Sequence, residues 1–166
     1  MTTSLSTELE QEAQVTRRVL ARVPEEKLTW KPHPKSMTLG QLALHLAEIP
    51  GRIAGVTKPD IFELDLSRFG NAPQPASVAE INKAFEDSQV TAKEYLEGLS
   101  AEQFEALWRL RVGEKEMMAI PRKWALRNIM FNHLYHHRGQ LSVYLRLLDI
   151  PVPVIYGASA DESPFS

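Results

Sequence analysis

Helix start and stop signals recur along this chain at intervals that leave room for four long helices and little else. Thr38-Leu39-Gly40-Gln41 and Ser77-Val78-Ala79-Glu80 both read as capping boxes, with a hydroxyl at the N-cap and Gln or Glu three residues later. Pro24 stops an earlier segment, Pro121 is a favourable first helical residue, and Asp149-Ile150-Pro151 cannot continue a helix. Between these marks apolar residues recur at helical spacing. A first helix is predicted over about Ser6 to Val23, with Leu9, Ala13, Val19 and Leu20 near one face. A second opens at Thr38 and turns Leu42, His45, Leu46 and Ile49 inward, with Pro50 expected to kink or end it. A third starts at Ser77 and aligns Val78, Ile81, Phe85, Ser88, Ala92, Tyr95 and Leu96. The fourth and longest begins at Pro121 and carries Leu126, Ile129, Met130, Leu141, Tyr144, Leu145 and Leu148.

Four amphipathic helices in 166 residues predict an all-α four-helix bundle, a single domain over residues 1–166. Leu107 to Ile120 alternates loosely around Gly113, which allows a short hairpin between the third and fourth helices, although Met117-Met118 breaks the pattern. Thr57 to Ala76 contains Pro59, Gly70, Pro73 and Pro75; it is longer than most connections and suits a lid.

Composition removes whole classes of chemistry. The chain has no cysteine, which excludes disulfides, iron–sulfur clusters, cysteine-ligated zinc and thiol nucleophiles together. Any bound metal must therefore sit on His, Asp or Glu. Lys and Arg total 19 against 21 Asp and Glu, a net charge of −2, so there is no overall basic field and neither a nucleic-acid nor a membrane partner is expected. Met1 to Glu8 has no basic or apolar signal region, and no stretch approaches about 18 apolar residues; a cytoplasmic protein is expected. No G-x-G-x-x-G, Walker loop or G-x-S-x-G occurs. A di-iron carboxylate bundle would need paired Glu-x-x-His motifs, and no histidine here has a glutamate three residues before it.

The histidines carry the chemistry that is left. His133 and His137, in Asn132-His133-Leu134-Tyr135-His136-His137-Arg138-Gly139-Gln140, are four residues apart, about 40° around a helix, so their rings can converge on one ion. His136 is swung about 100° from His137 and is not expected to share it. Extending the apolar stripe from Met130 to Leu141 passes through both members of the pair, and His45 lies on the inward stripe of the second helix. One inward histidine alone is usually a hydrogen-bonded core group. Three on two helices of one bundle instead make a facial three-histidine site for one divalent transition metal, with a coordination position left for water or substrate. Imidazole suits zinc, nickel, copper or iron. His33, in Lys31-Pro32-His33-Pro34, sits in a stiff loop with no periodic face.

These segments resemble the DinB family of damage-inducible, metal-dependent proteins. The resemblance rests on Ser36 to Glu48, on Asn132 to Leu141, and on the ending Pro151 to Glu162, and so spans most of the chain. It implies a four-helix bundle with a metal on His45, His133 and His137, zinc or nickel being the expected ion. It further implies, from the wider superfamily, a small-molecule substrate and a low-molecular-weight thiol as cosubstrate. The activity expected is a transferase or hydrolase that activates a thiol or water, the alternative being a non-catalytic stress-response protein with a structural ion. A homodimer is left open. Glu48, three residues after His45, is the candidate catalytic base, with an exposed helix-end carboxylate as the competing reading. Asn132, Tyr135 and Gln140 are candidate supports for the imidazoles, or solvated polar groups; Arg138 is expected to pair with a carboxylate. Arg122 and Lys123, in the first turn of the fourth helix, are expected to be solvated charges rather than an anion site.

Overall fold

The computed structural model describes residues 2–68, 72–163 and 165. Its long helices are α1 (Thr2–Leu20), α2 (Leu39–Thr57) and α3 (Val78–Gly98). A short α4 (Ala101–Glu105) follows, and the last long segment is divided into α5 (Arg122–Ala125), a wide π turn (Leu126–Phe131) and α6 (Asn132–Leu147). Helix α1 packs on α3 and α6, and α2 packs on the same two, so the four close into a ring. The buried core runs the length of that ring in two sections. One joins Val19, Leu20, Leu42, Leu46, Phe85, Leu141 and Leu145; the other joins Leu5, Leu9, Ala92, Leu96, Met130 and Phe131. Among the described residues, no helix is long and apolar enough to cross a membrane.

The all-α expectation is corrected. The hairpin forms from β2 (Leu107–Val112) and β3 (Lys115–Pro121), and β1 (Ile61–Glu63) pairs parallel to β2 with Ile61 opposite Arg109, so a three-stranded sheet in the order β1-β2-β3 stands beside the bundle. Gly113, at φ 56°, takes the left-handed position a tight hairpin turn requires. Strand β3 is mostly exposed on both faces, which is why Met117-Met118 can break alternation without breaking the strand. The connection read as a lid contributes β1 and then docks on the bundle: Gln41 Nε2 donates to Ala72 O at 2.8 Å and Thr38 Oγ1 to Gln74 Oε1 at 2.7 Å. Gly70 of that connection lies outside the described residues.

Helix α2 is the centre of the molecule, and both its ends are sealed. At the start, Leu39 N–H donates to Trp30 O, Gly40 N–H to Leu28 O and Gln41 N–H to Thr38 Oγ1, while Gln41 Oε1 accepts from Thr38 N–H. A side chain at Gly40 would meet Gln74 Nε2 at 2.8 Å and Leu28 O at 2.9 Å, so only glycine admits these two loops. At the far end Thr57 O accepts from Arg122 Nε at 2.9 Å and Tyr95 OH at 2.7 Å, and Val56 O from Trp108 Nε1 at 3.2 Å. Arg122 is only 2% exposed and also donates to Asp60 and to Gln103 O, so the solvated reading of this residue is wrong: it is a buried cation on the negative end of α2. Pro50 does not end α2, which continues for two turns past it.

Candidate metal centre

Helix α2 is buried on almost every side. From Leu39 to Pro50 only Gln41, His45 and Glu48 are left partly open, and Arg52 continues their stripe at helical spacing. His45 thus lies not on the inward face, as its apolar neighbours suggest, but on the edge where α6 passes. From α6, His133 and the buried His137 reach the same place, and one nitrogen from each of the three rings lies within 4.8 Å of the others.

The nitrogens that meet are all Nε2. His133 Nε2 is 3.3 Å from His45 Nε2 and 2.7 Å from His137 Nε2. His137 Nδ1 lies 2.7 Å from Gln140 Oε1, an acceptor only, so Nδ1 holds the ring proton and Nε2 presents a lone pair to the cluster. Burial, then the neighbouring rings, push His45 down to about 4; burial does the same to His137 against the opposing pull of Gln140. Burial also lowers His133. At neutral pH the three imidazoles are therefore uncharged, the form in which histidine can bind a metal.

This donor set fits a divalent metal. Nitrogens each about 2.0–2.1 Å from one ion stand roughly 3 Å apart, which is the spacing of His133 Nε2 from both His45 Nε2 and His137 Nε2. Without a cation, lone pairs would face one another, since a proton can serve only one pair of nitrogens at a time. His133 Nδ1 is buried with no hydrogen-bond partner of good geometry, although the Ile129 carbonyl one turn earlier lies near enough to favour a proton on that ring. A cation at Nε2 would strengthen that N–H as a donor toward the carbonyl. The π turn ends at Phe131, two residues before His133.

The remaining candidates separate cleanly. His136 is exposed and only flanks His137, with ring centroids 4.8 Å apart; its Nε2 is not among the converging nitrogens. His33 is exposed, and its Nδ1 accepts from Lys35 N–H. Glu48 stands one turn from His45 with its carboxylate 3.6 Å from Arg52 Nη1. Of the polar residues around the α6 pair, Gln140 supports an imidazole, whereas Asn132 bonds to Asn128 and Tyr135 OH donates to Glu8 at 2.5 Å, away from the cluster. Arg138 pairs with Glu12 at 2.6 Å, as expected. Sequence reading passed over Arg52, whose signal is its position seven residues, two helical turns, after His45.

Comparison with known proteins agrees with this architecture. The sequence model of the DinB family matches residues 1–164. A DinB-like protein from Bacillus cereus ATCC 10987 superposes with a TM-score of 0.66 at 23% identity, covering 87% of this chain and 91% of its own. A DinB-like protein from Bacillus subtilis superposes at 0.69 with 20% identity, covering 92% and 97%. No curated protein matches the chain.

Proposed function

The chain belongs to the DinB family, and from that premise we propose that it is a metal-dependent enzyme holding one divalent transition metal, zinc or nickel, on His45, His133 and His137. The convergence of three neutral Nε2 atoms, one with its tautomer set by Gln140, carries this reading. The ion supplies Lewis acidity, which makes a water or low-molecular-weight thiol donor a stronger acid and so a better nucleophile near neutral pH. Three protein ligands leave room for a further one, the pattern of catalytic rather than closed sites.

The chain's own residues would do the rest. His45 and the α6 pair hold the donor set. Gln140 keeps the His137 proton on Nδ1. Glu48, on the open stripe of α2, is the base that would take the proton from the nucleophile, with Arg52 beside it. The substrate is a small molecule, in a thiol-transfer or a hydrolytic reaction. A second reading follows from the ligands spanning two helices: the ion ties α2 to α6 in a non-catalytic protein of the stress response.

Metal analysis of untagged protein tests the site. One ion per chain is expected, His45→Ala should lose most of it, and His33→Ala should keep it; full occupancy in His45→Ala would sink the assignment. Thiol-dependent turnover abolished by His137→Ala supports a transferase, and turnover without thiol a hydrolase. Neither activity, together with strong thermal stabilisation by the ion, selects the structural reading.

A further inference from the structure

The open stripe of α2 continues past the imidazoles. Arg52 lies two turns beyond His45, and its guanidinium is held more loosely than those of the arginines that pair closely with carboxylates. Arg17, Arg127 and Arg138 grip carboxylates at 2.9, 2.6 and 2.6 Å. Arg52 is 61% exposed, and its Glu48 neighbour stands at 3.6 Å, beyond hydrogen-bond distance. Seven residues after His45 and four after Glu48, it shares their stripe of α2, so the guanidinium and the imidazole cluster lie on one edge of the helix.

We propose that Arg52 is a specificity-determining residue that receives a carboxylate on the substrate while the reacting end of that substrate occupies the metal centre. This rests on the metal-dependent reading above. A guanidinium fork matches a carboxylate in shape and donors, and its engagement needs no stronger partner to be displaced. The adjacent Glu48 sets the charge that can be accepted. A singly charged carboxylate can sit on Arg52 next to Glu48, whereas a doubly charged phosphate monoester meets that carboxylate with twice the repulsion.

Cobalt-loaded protein separates this proposal from its premise. Three thiols with the same donor atom are titrated into it and followed by the sulfur-to-cobalt charge-transfer band: 3-mercaptopropionate, 2-mercaptoethanol and cysteamine. The expected result is that 3-mercaptopropionate binds roughly fivefold tighter than 2-mercaptoethanol, with cysteamine weakest, as for one partly exposed ion pair. Arg52→Gln should erase the preference at unchanged cobalt content, and Arg52→Lys should restore part of it. Equal binding of the three thiols in the parent protein, or a preference that survives Arg52→Gln, overturns the role of Arg52 and leaves the metal reading standing. No charge-transfer band with any thiol, despite full cobalt content, overturns the role of Arg52 together with the thiol-transfer branch of the metal-dependent reading.

Discussion

One hydrogen bond decides which nitrogen His137 offers. Gln140 Oε1 lies 2.7 Å from Nδ1 and turns Nε2 toward His45 and His133. Gln140 is exposed, so Gln140→Leu removes the acceptor with little effect on the core. Loss of such a supporting bond is expected to weaken metal binding roughly 10- to 100-fold. Competition against a chromophoric chelator measures it. Gln140→Glu, which keeps an acceptor at the same reach, should recover most of the affinity, and Asn132→Leu, whose amide bonds to Asn128, should change nothing. Equal losses in Gln140→Leu and Asn132→Leu would mean that neither acts through the imidazole.

At the scale of the element, α2 shows what spacing can and cannot reveal. Its cap was legible to the residue, because a capping box is a local exchange of hydrogen bonds between Thr38 and Gln41. The pairing of His133 with His137 was legible too, since a four-residue spacing on one helix is a local property. The orientation of His45 was not: with apolar neighbours all round, only the packing of α3 and α6 decides which stripe stays open. Strand β1 was hidden for a similar reason. Three residues hold too little alternation to read, and its partner β2 lies some 45 residues away along the chain. The π turn shifts the apolar phase within the last long segment, burying Phe131 and leaving Ile129 half-exposed, where an unbroken helix had put Ile129 in the stripe. Crossing geometry gives a paired test on α2 itself. A Cβ at Gly51 would meet Ser88 Cα at 2.9 Å and Ser88 O at 3.2 Å, whereas at Gly55 it would meet nothing within 4 Å. Gly51→Ala must push α3 away and should cost about 1–3 kcal/mol by urea denaturation. Gly55→Ala should be neutral or stabilise by up to about 1 kcal/mol through helix propensity. Equal effects would mean that close approach of α2 and α3 is not what keeps glycine at position 51.

Across the whole molecule, the conspicuous arginine beside the ligand pair belongs to architecture rather than to the site. Arg138 follows His137 directly, yet is turned about 100° from it around α6, toward α1, where it is 1% exposed. It donates to Glu12 Oε2 at 2.6 Å, to Thr16 Oγ1 at 3.2 Å and to the Tyr156 hydroxyl, and its guanidinium lies over the rings of Tyr135 and Tyr156. Tyr156 OH in turn donates to Glu12 at 2.9 Å. Helix α1, helix α6 and the C-terminal segment therefore meet at one cation, with Arg22 to Glu162 and Arg18 to Val154 O fastening the segment further along. Arg138→Met keeps much of the side-chain volume but leaves the Glu12 carboxylate without its cation, with only the Tyr156 hydroxyl still donating to it, an expected loss of about 3 kcal/mol in urea denaturation. Adding Glu12→Leu removes the stranded charge and should recover part of that loss. Hydrogen exchange in the single variant should rise at residues 152–156, while metal content per folded chain stays at the parental value because no ligand bonds to Arg138. Loss of metal from a variant that remains folded, with the C-terminal segment still protected, would instead place Arg138 in the chemistry of the centre.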